Sequence, residues 1–245
     1  MNASSAECES RHERNRLQRA ASAAMMLALL AGCATSGSSK DPIEGFNRTT
    51  FAINELMDAA VLRPVAVSYD YVLPSPVKKG VTNFFGNISD VFIGVNNVLQ
   101  GKVTNGVSDF ARVLVNSTVG ILGLIDVASD MGMEKHDEDF GQTFGRWGAD
   151  SGAYVFLPLF GPRTVRDSVG LALDVATDPI ANYNNVPVRN SLGFLRVVDD
   201  RANLLAADKL VEAAALDKYS YIRDGYLQRR RNLIYDGSPP RQREE

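Results

Sequence analysis

The 245-residue chain predicts a mainly α protein: a single domain of many short amphipathic helices, with at most a short β-hairpin or rigid loop. Three observations carry that class. Apolar residues recur at helical spacing in segment after segment. Gly and Pro punctuate those segments at short intervals. Extended-looking sequence is confined to Tyr154–Pro162, itself broken by Pro158 and Pro162, which suits an edge hairpin or a loop. Apolar content of 45% and charged content of 22% are those of a chain that buries a core. With 26 basic and 29 acidic residues there is no basic excess, which argues against a nucleic-acid partner.

The N-terminus is a targeting segment. Arg11, Arg14, Arg16 and Arg19 precede a largely apolar run, Ala20 to Ala31, and Leu30-Ala31-Gly32-Cys33 closes it. A positive region, an apolar region and a small-residue cleavage site make a secretory signal peptide, residues 1–32. The last four residues resemble the bacterial lipobox, in which cleavage after Gly32 leaves Cys33 acylated. Cys8 leaves with the signal, so no thiol pair remains for a disulfide. Residues 33–40 form a short linker; Ala34 to Lys40 reach at most about 24 Å fully extended. The domain, residues 41–236, therefore begins at or in the membrane surface, since the headgroup layer is only about 5–7 Å deep.

Within the domain, Asp41-Pro42-Ile43-Glu44 predicts a helix start, with Asp41 as N-cap and Pro42 at the first helical position. That helix runs to about Ala60 and is ended by Arg63-Pro64; a short one, Val65 to Val72, follows. Ser75-Pro76 opens another with Val77, Val81, Phe84, Phe85 and Ile88, and Gly86 and Gly94 loosen the chain as far as Gln100. Val103 to Thr118 carries a stripe of Val107, Phe110, Ala111, Leu114 and Thr118. It runs into Val119–Ile125, apolar on every side, which is normally buried or in lipid. Asp126 to Met133 reads as a further short turn or helix. An acidic start, Asp137-Glu138-Asp139, leads into an aromatic row of Phe140, Phe144 and Trp147, interleaved with Gly141, Gly145, Gly148 and Gly152.

After Pro162 a helix to about Thr177 presents Val165, Val169, Ala172 and Ala176. A loop holds Asp178-Pro179 and Asn182–Pro187. The longest regular segment is Asn190 to Asp217, with Leu192, Leu195, Val198, Leu205 and Leu210. A polar helix with Tyr219, Ile222, Tyr226, Leu233 and Arg229-Arg230-Arg231 comes last, and the tail 237–245 is read as disordered. No segment reaches the roughly 20 apolar residues of a spanning helix.

Motifs for bond chemistry are sparse. His136 is the one histidine left after signal removal, and no Gly-x-Ser-x-Gly elbow accompanies it. His and Cys ligands for zinc are lacking, and His136-Asp137-Glu138-Asp139 lacks the Asp/Gly ladder of a calcium loop. No phosphate loop or dinucleotide fingerprint occurs. The expectation is a non-enzyme without metal or cofactor, carrying only the covalent acyl/diacylglyceryl lipid on Cys33. Short amphipathic helices suit a body lying in a membrane interface, although the same stripes suit a water-soluble interior equally well.

An ordered series of short motifs carries a resemblance. It runs through Asp41-Pro42-Ile43-Glu44-Gly45-Phe46-Asn47-Arg48, Arg63-Pro64-Val65-Ala66, Asn83-Phe84-Phe85-Gly86-Asn87, Val95-Asn96 and Leu99-Gln100-Gly101. It continues through Arg112, Val115-Asn116, Gly123-Leu124-Ile125-Asp126-Val127-Ala128, Glu138-Asp139-Phe140-Gly141-Gln142-Thr143-Phe144-Gly145, Trp147-Gly148, Leu157-Pro158, Gly161-Pro162 and Arg166-Asp167. The series closely resembles the MlaA (VacJ) family of outer-membrane lipoproteins. Gly152-Ala153-Tyr154 departs from the family's usual Gly-Pro-Tyr.

The resemblance implies a helical ring around an amphipathic channel, in the periplasmic-side leaflet of the outer membrane. It implies removal of mislocalised phospholipid from the outer leaflet and delivery to a periplasmic lipid-carrier protein (MlaC-like), beside an outer-membrane porin trimer. Ala34 after the lipidated Cys agrees with the sorting rule for outer-membrane delivery. For the channel wall and gate the candidates are Phe140, Gly141, Phe144, Gly145, Trp147, Gly148 and Tyr154, because glycines permit close packing and hinge motion; Gly141 and Gly145 are expected to be the most sensitive. A non-transporting envelope scaffold and a lipid hydrolase using His136 are the alternatives.

Overall fold

The structure, a computed structural model, describes residues 41–240. The signal peptide, Cys33, the linker and residues 241–245 lie outside the described residues. The elements are α1 (Glu44–Met57), a π-helical turn (Asp58–Leu62), α2 (Arg63–Val72), α3 (Ser75–Leu99), α4 (Val103–Thr118), α5 (Val127–Asp130) and α6 (Phe140–Arg146). An antiparallel pair, β1 (Tyr154–Leu157) and β2 (Gly161–Thr164), precedes α7 (Val165–Thr177), α8 (Val186–Ala214) and α9 (Lys218–Ile234). The mainly α class with one short hairpin is the predicted one. In the hairpin Tyr154 faces Thr164 and Leu157 faces Gly161.

The N-terminal elements depart from expectation in two places. Asp41 does not cap α1, whose N-cap position is Ile43 with no side-chain cap. Its buried carboxylate instead accepts from Asn47 Nδ2 at 2.8 Å and from the Tyr219 hydroxyl, and pairs with Arg223 at 3.3 Å. Nor does Pro64 end the helix. Proline has no N–H to give the carbonyl four residues back and its ring crowds that carbonyl. The wider π turn absorbs both problems: the Arg63 N–H bonds the Asp58 oxygen five residues back, and the helix continues into α2. Arg201 of α8 grips the Asp58 carboxylate at 2.6 and 2.8 Å, holding that turn from across the fold.

α1 also acts as a substitute strand for the free edge of β1. Asn47 Nδ2 donates to the Tyr154 carbonyl and its Oδ1 accepts from Phe156 N–H. One face further along, Asn54 does the same for Leu157 O and Leu159 N–H. Two amide side chains seven residues apart thus satisfy backbone groups that an edge strand leaves open. Behind β1 lies a small aromatic core of Tyr154, Phe156 and Tyr219, with Phe51, Ile222, Tyr226 and Leu227 packed on it.

α3 and α4 form the longest-packed pair, an antiparallel hairpin turned at Gly101 (φ +83°). α3 is one continuous helix through Gly86 and Gly94, where the sequence suggested loosening. The reason is close packing: a Cβ on Gly106 would lie 2.8 Å from the Gly94 carbonyl, so these two glycines let the helices cross backbone to backbone. A second tight crossing joins α6 to α7, where a Cβ on Gly170 would collide with the Gly141 nitrogen and lie 2.6 Å from its Cα. α8 lies against α2 and α3, and α9 packs on α6 and β2.

Candidate functional site

Two helices of this protein, α4 and α7, are amphipathic in the reverse of the usual sense. Among the described residues, buried polar and charged side chains outnumber buried apolar ones, sixteen to ten. α4 shows how. Its apolar positions Val103, Val107, Phe110 and Leu114 are all exposed, Leu114 by 66%, while Asp109, Arg112 and Asn116 on the other face are buried. The stripe of α7 behaves alike: Val165, Val169, Ala172 and Ala176 face outward while Asp167 and Gly170 face in. Such a pattern suits surroundings that are themselves apolar, because exposing bulky aliphatics to water while burying amides runs against the normal transfer free energies.

Arg112 anchors the polar interior. It is wholly buried, and every N–H of its guanidinium has an acceptor: both Asp126 oxygens at 3.1 Å, Ser129 Oγ at 3.1 Å, the Met133 carbonyl at 2.8 Å and Asp90 at 3.4 Å. Asn116 continues the network, donating to Asp126 and accepting from Ala128 N–H. Burial opposes ionisation of Asp126, but hydrogen bonds from Ser129 and Asn116 together with Arg112 bring its pKa down to about 2. Burial pushes the Asp90 carboxyl up despite Lys135 and Arg112 beside it. His136 Nδ1 lies 2.7 Å from Asp109, whose other oxygen accepts from Asn97 Nδ2.

This network pins the loop between α4 and α5. The apolar run Val119–Ile125 is neither buried nor helical here; it turns tightly and shows Val119, Ile121, Leu122, Leu124 and Ile125 on the surface. Ile121 and Leu122 take φ values of 53° and 57°, a left-handed conformation that β-branched and bulky residues rarely adopt. Held conformations of this kind cost on the order of 1–3 kcal/mol each. Here the strain keeps two large aliphatic side chains pointed outward.

The predicted channel and gate residues fall into three places. Phe140, Phe144 and Trp147 form a row along α6, with ring centroids 6.5 and 5.9 Å apart, and the Trp147 indole N–H donates to the Leu99 carbonyl. Gly141 and Gly145 lie where α6 meets α7 and α9, facing Asp167 and Arg230 (Gly141) and Arg166 and Ile234 (Gly145). Gly148 (φ +96°) ends the helix, with Ala149 N–H bonded back to Phe144 O. Tyr154 is separate, fully buried in the aromatic core behind β1.

α6 itself is held from both sides. Asp139 caps it, accepting from Gln142 N–H at 2.8 Å, and takes a two-point bond from Arg230 of α9. Asp174 of α7 accepts from Phe140 N–H. Burial, then the nearby Asp139 charge, raises the Asp174 pKa to about 6. Towards α3, Thr143 donates to Asn96 Oδ1 at 2.6 Å, and Gln100 donates to Thr143 and to Glu138. Sequence reasoning passed over this interior. Its signal was present as a polar stripe on α4 (109, 112, 116), in register with the apolar one that drew attention.

Among the described residues no cluster of His, Cys, Asp or Glu is arranged to hold a metal ion, and no helix is long and apolar enough to cross a membrane. His136 ties α4 to the segment before α6 rather than sitting against a hydroxyl or thiol. What the arrangement offers is a polar, densely hydrogen-bonded interior beneath exposed aliphatic stripes, in which Asn97 Oδ1, Gln100 Oε1 and Gln142 Oε1 are buried without a partner.

The chain matches the MlaA lipoprotein family over residues 39–233. It is 36% identical over 219 residues to the intermembrane phospholipid transport system lipoprotein MlaA of Shigella flexneri, covering 86% of each chain. Identity to the Escherichia coli K12 protein of that name is 35% over the same coverage. A solved structure described under the structural basis for maintenance of bacterial outer membrane lipid asymmetry superposes with a TM-score of 0.69 at 34% identity. It covers 79% of this chain and 98% of its own. The chain therefore belongs to the MlaA lipoprotein family.

Proposed function

We propose that this protein is an outer-membrane phospholipid-transport lipoprotein. Anchored through acylated Cys33 in the periplasmic-side leaflet, it removes phospholipid misplaced in the outer leaflet and passes it to a periplasmic carrier, working beside a porin trimer. The observation that carries the reading is the reversed burial: aliphatic side chains of α4, α7 and the 119–125 loop face outward over an interior of Asp, Asn, Gln and Arg. The similarity to the intermembrane phospholipid transport system lipoproteins of Shigella flexneri and Escherichia coli supports it.

The physics of the task suits such a body. A headgroup drawn through hydrocarbon leaves polar groups unpaired, at several kcal/mol each. A ring of helices with polar groups turned inward and aliphatic groups turned outward gives headgroup and tails separate surroundings during passage. No covalent bond changes, so neither an acid–base pair nor a metal is required. In this reading the Phe140–Phe144–Trp147 row and the glycine-rich α6 form part of the channel wall and its gate.

The test is complementation in a strain lacking this chain, with outer-leaflet phospholipid as the readout. The native chain restores asymmetry, whereas Cys33→Ala, exported but unsorted, does not. Full restoration by a soluble, correctly exported Cys33→Ala variant overturns the anchoring part of the reading. Failure of the native chain to alter outer-leaflet phospholipid in such a strain overturns the whole and favours the scaffold alternative.

A further inference from the structure

α2 and α8 line a groove of about 410 Å³ away from the α6 row and the Arg112 network. Val65, Tyr69 and Leu73 form one wall, at the spacing of a single helix face, and Phe194, Leu195 and Val198 form the other. From Val65 to Leu73 the groove runs about 12 Å along α2. The two wall residues with side-chain oxygens have both committed them elsewhere: Ser68 Oγ bonds the Pro64 carbonyl and the Tyr69 hydroxyl donates to Asp199 Oδ1 at 2.8 Å. Asp199 is buried and accepts from Thr82 and Asn203 as well. Both hydroxyl hydrogens are thus used, and the groove presents no free donor to a peptide backbone, a sugar or a headgroup.

Its rim is apolar too. Tyr71 and Val72 on α2 are exposed by 90% and 71%, and Phe194 and Val197 on α8 are about half exposed. The mouth therefore opens onto the same kind of aliphatic surface as α4 and α7 present. The volume lies at the lower end of the about 300–1,000 Å³ range of ligand sites, the size for one chain rather than a whole diacyl lipid.

We infer that the α2–α8 groove is a subsite for a single acyl chain of a phospholipid, holding one tail while the headgroup stays outside the groove. The inference rests on the membrane reading above and adds to it a place where a transported lipid is held.

The experiment uses the purified full-length lipoprotein in detergent with a phosphatidylethanolamine carrying a diazirine on one acyl chain, and locates cross-links by mass spectrometry. The expected result is labelling of Val65, Leu73, Leu195 and Val198 that excess unlabelled phosphatidylethanolamine competes away. Ser68→Phe, which fills the groove from an exposed position, should lower that labelling at least fivefold and leave labelling of Leu114 on α4 unchanged. Ser68→Leu, a milder filling, should lower it part way and serves if the Phe variant folds poorly. Labelling of Leu114 without competable labelling of the groove overturns the subsite and leaves the membrane reading standing. Absence of labelling at both sites contradicts the two together.

Discussion

Asp174 and Arg112 show what individual residues contribute to the interior. Asp174 stands opposite the first N–H of α6 with a pKa raised to about 6, first by burial and then by Asp139. Its folded value lies above the ordinary 3.8, so the folded state holds a proton that the unfolded chain has lost between those two values. Stability from this group is complete below about pH 4 and is lost as the pH rises through 6. Asp174→Asn keeps an oxygen for Phe140 N–H and removes the charge. It should be more stable than the native chain at pH 7, by about 1 kcal/mol after allowance for solvent screening, and equal to it near pH 4. Thermal melts at both pH values in one detergent check this. Arg112→Met leaves Asp126 without its cation and Asp90 with only Lys135, 3.8 Å away, and should lower stability by about 3–5 kcal/mol. A denaturant titration followed by helix signal measures it.

At the scale of elements, glycine spacing decides where helices approach. Gly170→Ala sets a methyl group against the Gly141 backbone, which cannot swing aside, so the α6–α7 crossing must open. The expected loss is about 1–3 kcal/mol, with faster proteolysis around residues 137–150. Gly145→Ala meets first the end of the Arg166 side chain, at 2.9 Å, and should be nearly silent. The expectation that Gly141 and Gly145 are the most sensitive positions concerns the gate and transport; for stability, the contact that stands out is Gly141 against Gly170. Gly170 was illegible in advance because its partner lies about 30 residues away and only the packed pair reveals the contact.

Other elements were legible for local reasons. Ser75-Pro76 as a helix start, the acidic start at 137–139 and the Pro-broken hairpin or loop at 154–162 each carry their signal within a few residues; the structure has a helix from Ser75, a helix capped by Asp139 and a hairpin spanning 154–164. Pro64 misled because its accommodation depends on a π turn that Arg201, far along the chain, holds through Asp58. Asp41 misled because a distant tyrosine and asparagine claim the carboxylate that would otherwise cap a helix.

For the whole molecule, periodicity located the apolar faces correctly and left open what they face. Val107, Phe110 and Leu114 form one stripe whether the medium beyond is protein or lipid. The burial of Arg112 and Asn116 on the opposite face supports the proposed membrane reading, in which that medium is lipid. On the proposed membrane reading, an acylated Cys33 would sort and position a body whose own surface already favours a membrane, and its loss is predicted to impair delivery more than affinity.

The central claim is that the exposed stripe of α4 lies in hydrocarbon. A fluorophore on Leu114→Cys, in vesicles containing phospholipid brominated along the acyl chains, tests it most directly; one on Arg229→Cys, at an exposed position of α9, is the control. The account predicts strong quenching of the Leu114 probe by the brominated chains and little quenching of the Arg229 probe. Equal, weak quenching at both positions, with the Leu114 probe open to an aqueous quencher, would contradict it.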